Sequence, residues 1–581
     1  MNPLVGLYGF PRGEDLSEYK NNFEVFDPAR NMNVQNWYTS YQDMEQNPYW
    51  ITNRINSNDK RTRAIASLTA NVKITDWLNI QARGTADYTH DQYQQRMYAS
   101  TAPALAGQNG RYIDLNHTET LYYGDVMAMV NKKWNDFSLN GAIGGSINST
   151  NVNSLRLDSK TASLYYPNVF TVANIKMTQA AYIDEQMNQK RVLQSLFGTA
   201  QLGWKESLCL DVTARNDWSS TLAYTKHSSF FYPSVGLSGI ISEMVKLPEF
   251  ISYLKVRGSY TEVGSPVSQS GLTPGTVTTP IIGGALAPTG IYPFTDFKAE
   301  RTRSYELGLS VRLWNKLSAE VTYYKSNTYN QTFIGDLPEF SGYKQIYLQA
   351  GNVQNHGWEA SLGYRDSFGD FSFSSNLTFS RNVNEIKEMV ENYRTDMSPE
   401  PINVPEVRKD NGRVILKVGG SINDIYANTF LKKDSQGYVE IKQDGSYGLE
   451  QGEPVFLGKT SPDFNLGWSN SLSYKGFGLS FLINGRFGGV VTSSTQAILD
   501  RFGVSKASAE ARDAGGVLLP GQGRVDAQSY YQLIGTGDYT TSGYYVYSAT
   551  NIRLQELTLS YRFPDLWFKN CLLYTSPSPR D

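Results

Sequence analysis

Apolar and polar residues alternate with a period of two along residues 62–89. Ala64, Ala66, Leu68, Ala70 and Val72 interleave with Arg63, Ser67, Asn71 and Lys73, and Ile74-Thr75-Asp76-Trp77 marks a turn. On the return, Leu78, Ile80, Ala82, Gly84, Ala86 and Tyr88 form one face, and Asn79, Gln81, Arg83, Thr85, Asp87 and Thr89 the other. That period is the one strand geometry imposes, so the segment reads as a hairpin with one apolar and one polar face. The unit recurs around Trp134-Asn135-Asp136, Trp204-Lys205-Glu206-Ser207, Trp314-Asn315-Lys316, Asp366-Ser367-Phe368-Gly369 and Lys475-Gly476, with a looser version over 245–250. With a last strand over 549–562, the pattern predicts about 15 strands of roughly 10 to 13 residues, against a mode of ~5–6 in soluble sheets. Crossing a bilayer at a tilt takes ~9–11.

The connections divide into two sets. The turns above are very short, whereas the opposite connections run through 90–120, 149–190, 263–300, 329–355, 383–465 and 488–548. Short turns at one end, long loops at the other and aromatic girdles where strands leave the hydrocarbon characterise outer-membrane barrels. Trp77, Trp134, Trp204 and Trp314 stand where the short-turn girdle would lie. A soluble sandwich explains any one alternating strand equally well. Repetition with one-sided turns favours an all-β transmembrane antiparallel barrel.

Composition agrees. Charged residues are 19% and aromatics 13%, with 39 Tyr and 50 Gly in 581 residues, so charge falls below the ~25% usual in soluble domains. Mean hydropathy is −0.42, and no apolar run approaches the ~18 residues of a spanning helix, so any crossing falls to strands. The net charge of −2 supplies no basic field for phosphates, which excludes nucleic acid as a partner. Cys209 and Cys571 suggest neither a disulfide framework nor a metal site. Residues 1–25 lack the charged start, apolar core and cleavage site of a signal peptide.

Several segments resemble the barrel half of the SusC/RagA family of TonB-linked outer-membrane proteins. Ala214-Arg215-Asn216-Asp217-Trp218-Ser219-Ser220-Thr221-Leu222 followed by Phe231-Tyr232-Pro233-Ser234-Val235 resembles the family's RNDWSSTL and FYPSV stretch. Leu254-Lys255-Val256-Arg257-Gly258-Ser259-Tyr260 ahead of Val263-Gly264 is similar to its LKLRASYG-VG, and Lys298-Ala299-Glu300-Arg301-Thr302 with Ser304-Tyr305-Glu306-Leu307-Gly308 to its KPE-T-SYE-G. In the same order come Ala350-Gly351-Asn352-Val353-Gln354-Asn355-His356-Gly357-Trp358-Glu359, Ser461-Pro462-Asp463-Phe464, Asn484-Gly485-Arg486-Phe487-Gly488-Gly489 and Arg553-Leu554-Gln555-Glu556-Leu557-Thr558-Leu559-Ser560-Tyr561.

The resemblance implies a bacterial outer-membrane importer of oligosaccharides or peptides. In that family a barrel of about 22 strands holds an N-terminal plug, is capped by a SusD-like surface lipoprotein and draws energy from TonB through a segment ahead of the plug. No such plug or TonB-contact segment is recognisable here, so the expected organisation is an extracellular loop region over 1–61, a partial barrel over 62–570 and a tail over 571–581. Cys571-Leu572-Leu573-Tyr574-Thr575-Ser576-Pro577-Ser578-Pro579-Arg580-Asp581 resembles a translated sequencing adapter and is set aside as non-native. With about 15 strands of the expected 22, this polypeptide alone is not expected to transport.

Candidate chemistry is sparse. His90, His117, His227 and His356 have no metal-ligand spacing, no carboxylate pair stands out, and Gly283-Gly284 and Gly515-Gly516-Val517 lack the lysine and strand-to-helix context of a phosphate cradle. No enzyme, cofactor or metal is expected. Trp37, Tyr38, Tyr41 and Trp50 are the candidates for stacking on sugar rings or peptide side chains, with packing among the loops as the competing role. A non-transporting outer-membrane adhesin or structural barrel is the rival reading.

Overall fold

The computed structural model describes residues 2–563 apart from 40–45, 163, 178–181, 224, 268–280, 283–284, 287–288, 292–296, 337–342, 350, 396–397, 405, 410–412 and 536–541. Tyr41, Gly283-Gly284 and the tail 571–581 therefore lie outside the described residues.

One 15-stranded sheet dominates, its strands following one another in chain order. They are β1 (Ile55–Lys73), β2 (Leu78–Met97), β3 (Arg111–Trp134), β4 (Phe137–Asp158), β5 (Tyr182–Trp204), β6 (Leu208–Ser219), β7 (Ser229–Ile240), β8 (Ile251–Ser265), β9 (Glu300–Leu313), β10 (Leu317–Tyr329), β11 (Asn352–Phe368), β12 (Phe371–Glu388), β13 (Phe464–Tyr474), β14 (Phe477–Phe487) and β15 (Asn551–Tyr561). Every neighbouring pair is antiparallel. The strand number and each hairpin match the sequence pattern. Five of the tight turns contain residues at positive φ, such as Lys475 at 44° and Gly476 at 89°, the conformation a two-residue hairpin requires. A Cβ on Gly476 would lie 2.7 Å from the Arg562 carbonyl oxygen.

Strand length departs from expectation. β1 to β5 run for 19 to 24 residues, and much of the sequence assigned to the loops 90–120 and 149–190 is strand. The reason lies on the outer face. On β2, β3 and β4 that face is apolar over Leu78–Tyr88, Tyr122–Trp134 and Phe137–Ile147, then becomes polar through Gln92, Gln94, Asn116, Thr118, Asn151 and Asn153. Once both faces are polar the period-two signal disappears although pairing continues. About 11 residues at ~3.3 Å rise and ~40° tilt cover ~28 Å, close to the ~25 Å apolar height of a membrane barrel.

The polar face is the concave one. Arg257 of β8 and Arg553 of β15 line a single hollow on that face, and Lys73 of β1 and Thr213 of β6 line another; such distant strands share a hollow only if the sheet curls toward it. The apolar face is left uncovered, with Leu68 and Leu559 78% exposed and Ile143 70%. Among the described residues, each hydrophobic cluster belongs to loops and loop-side strand ends: Leu222 with Phe230 and Phe297, Val353 with Ile386 and Leu416, Tyr112 with Leu164 and Ile175, and Leu431 with Ala497, Ile534 and Tyr545. Among the described residues no second layer covers the wall, as a soluble sandwich would require. The wall is built for a solvent that is itself apolar.

The sheet does not close on itself: β1 and β15 each have one free edge. The loops beside those edges nevertheless meet. The helix Pro3–Gly9 packs on the helix Pro48–Arg54 that leads into β1, and it also touches the helix Ser494–Arg501 ahead of β15.

Candidate functional site

The concave wall carries the polar chemistry, and strand pairing places it. Arg61 stands directly opposite Asp91, and Arg83 opposite Asp125. The Arg61 and Arg83 guanidiniums donate to these carboxylates at 2.6 and 2.8 Å, and Arg63 reaches Asp87. Further round, Arg257 pairs with Glu306 while donating to Thr322 Oγ1 at 2.8 Å. Charges on adjacent strands thus occupy one another, which fixes the side chains and limits the net field of the wall.

Between these pairs the wall opens into two hollows. The first, about 720 Å³, is bordered by Arg257, Glu320, Glu359, Asn484, Arg486 and Arg553. The second, about 840 Å³, lies toward the short turns, beside Asn79, Asn131, Asn140, Thr199, Gln201 and Asp211. Amides, hydroxyls and charges of both signs suit a hydroxyl-rich or amide-rich chain or polar protein surface, and each hollow is of ligand-pocket size. Nothing in the arrangement demands a chemical step. The alternation identified this face as polar, but not which residues converge, because convergence depends on curvature between strands remote in sequence.

The loop aromatics have different situations. Trp50 is 1% exposed, and its Nε1 donates to Thr101 Oγ1 at 3.1 Å, joining the helix Pro48–Arg54 to the segment after β2. Asn47 caps that helix, its side chain accepting from Tyr49 N while its Nδ2 donates to the carbonyls of Tyr19 and Asn36. Trp37 and Tyr38 are half-buried and belong with Phe10 and Tyr19 to one aromatic cluster, ring centroids 5.0 to 5.8 Å apart. The Trp37 Nε1 is buried without an acceptor.

This region is clamped by Arg54, which binds Glu24 through two hydrogen bonds of 2.8 and 2.7 Å. The Arg54 hydrogen bonds hold the Glu24 carboxyl below its ordinary value of 4.5, against a burial effect that raises it. A lowered carboxyl contributes stability that is present above the unfolded value and is lost as pH falls through the lower folded value. Proteolytic protection of the segment before β1 should accordingly be full at pH 6 and decline below about pH 4.5. Glu24→Gln should weaken it already at pH 6 and flatten the decline; an unchanged acid profile in that variant would assign the pH effect to other groups.

Comparison with known proteins places this geometry. A family model described as "TonB dependent receptor-like, beta-barrel" matches residues 7–547. TonB-dependent receptor P3 of Formosa agariphila is 24% identical over 67% of this chain and 40% of its own length. TonB-dependent receptor SusC of Bacteroides thetaiotaomicron is 22% identical over 47% of this chain and 27% of its own. Among solved structures, the RagAB peptide transporter superposes with a TM-score of 0.68 at 17% identity, over 92% of this chain and 59% of that one. The chain thus spans less than two thirds of the length of these relatives.

Proposed function

We propose that this chain, which belongs to the TonB-dependent receptor-like β-barrel family, is the barrel wall of an outer-membrane importer that takes up oligosaccharides or peptides with a SusD-like lipoprotein and energy from TonB. The observation that carries the reading is the pairing of an uncovered apolar band with a concave face bearing two polar hollows. Such a wall needs lipid outside and a polar content inside. Similarity to a structure titled a peptide transporter supports peptides as one substrate class, and the two polar hollows suit the hydroxyl-rich chain of a glycan as well.

In this reading the free edges of β1 and β15 pair with further strands, since lipid offers no partners for their backbone groups. The hollow beside Arg257, Asn484 and Arg553 contacts the lumen contents, and Trp37 and Tyr38, with Tyr41 in the adjoining segment, contact substrate at the mouth. Trp50 holds the loop that carries them. Selectivity is a matter of binding, with no bond made or broken.

The test is uptake. Cells lacking the gene should lose accumulation of one labelled oligosaccharide or peptide class, and cells lacking TonB should lose the same class. Unchanged uptake across both panels would overturn import and leave the adhesin or structural-barrel reading.

A further inference from the structure

The short-turn rim carries lysines seated on the aromatic girdle. Lys132 Nζ lies 5.0 Å from the Trp77 ring centroid, Lys205 4.9 Å from Trp204, Lys316 5.8 Å from Phe368 and Lys475 5.4 Å from Tyr474. An ammonium over a ring face is held by the ring quadrupole, most strongly over Trp.

The carboxylates on this rim do not serve them equally. Near the first three hairpins, Asp76 pairs with Lys73, Glu206 with Lys133, and Asp136 stands 4.0 Å from Lys205. Lys316 is held by Asp366 at 2.7 Å. Among the described residues no carboxylate lies within ion-pair distance of Lys132 or Lys475. Lys132 follows Val126, Ala128 and Val130 on the apolar outer face of β3, and Lys475 sits at the tip of the turn between Tyr474 and Phe477, whose rings are 51% and 64% exposed. Each is an exposed cation with no counter-charge among the described residues, at the depth where an interfacial aromatic belt meets lipid headgroups.

From this we infer that Lys132 on Trp77 and Lys475 on Tyr474 are two binding sites for anionic phospholipid headgroups of the periplasmic leaflet. The phosphate diester accepts from the ammonium, the ring holds that ammonium at the hydrocarbon boundary, and the acyl chains lie along the apolar band above. Lys205 and Lys316 have the same ring contact with a carboxylate already in place, so they are the internal comparison. The inference rests on the membrane reading of the outer face and is independent of what the barrel carries.

Native mass spectrometry of the purified full chain in detergent, with dioleoyl phosphatidylglycerol or phosphatidylcholine added, tests it. The anionic lipid should be retained about fivefold more per unpaired lysine. Lys132→Gln and Lys475→Gln should each remove one step of that preference, Lys205→Gln should leave it intact, and Lys132→Arg should restore it. Quenching of Trp77 fluorescence by brominated phosphatidylglycerol should fall in Lys132→Gln; a Trp77 that remains shielded from a dispersed aqueous quencher shows that the variant is folded. Equal retention of the two lipids, or a preference that survives in the Lys132→Gln and Lys475→Gln double variant, would overturn the proposal. Loss of all lipid adducts together with exposure of the girdle would instead contradict the membrane reading itself.

Discussion

Trp50→Ala should detach the segment before β1 from the crown of loops while leaving the barrel strands paired. Trp50 is 1% exposed and Ile51 next to it 5%, and in the segment that carries Thr101 both Ala99 and Ala102 are fully buried. Removing a buried Trp side chain costs about 3–5 kcal/mol, and the Thr101 hydroxyl loses its donor as well. The helix Pro48–Arg54 is short and stable only through such packing. Backbone amides over 19–54 should therefore exchange far faster in Trp50→Ala, while those of β3 and β4 keep their protection. A variant with unchanged loop protection but weakened binding of a glycan or peptide would make Trp50 a contact for ligand.

The parts of this fold legible in the sequence are those whose two faces meet different solvents. β1 and β2 could be aligned residue by residue because Leu68 and Ile80 face lipid while Arg83 and Asp87 face the lumen, and the six tight turns announced themselves through residues such as Trp314-Asn315 and Lys475-Gly476. Above Tyr88 and Tyr122 the same strands continue for a further stretch that no periodicity reveals, since water lies on both sides. The loop clusters were not legible either. Leu431 packs with Ala497, Leu519 and Ile534 from connections separated by two strands, and such contacts leave no local pattern. Sequence singled out Trp50 as an aromatic loop residue, but only its partner Thr101, from a different connection, shows the ring turned inward. Likewise Arg257 and Arg553 each read as one polar residue on one strand, and curvature alone makes them neighbours.

The central claim is that the apolar face of this sheet lies against lipid and the polar face does not, and β4 offers adjacent positions that separate the alternatives. Ile143 is on the outer face near the middle of the apolar stretch Phe137–Ile147, Ile147 is on the same face at its upper boundary, and Ala142, one residue before Ile143, lines the concave hollow beside Thr199. An arginine at the bilayer midplane of a barrel costs ~2–4 kcal/mol and near the interface ~0–1, while lumenal positions tolerate charge. Denaturant titration of the protein folded in phospholipid bilayers should therefore rank Ile143→Arg as the costly variant, by about 2–4 kcal/mol, with Ile147→Arg and Ala142→Arg each within ~1 kcal/mol of the parent. A core buried in protein has no such dependence on depth, and a water-exposed face no such cost. Equal penalties at Ile143 and Ile147, or a larger penalty at Ala142 than at Ile143, would contradict the account.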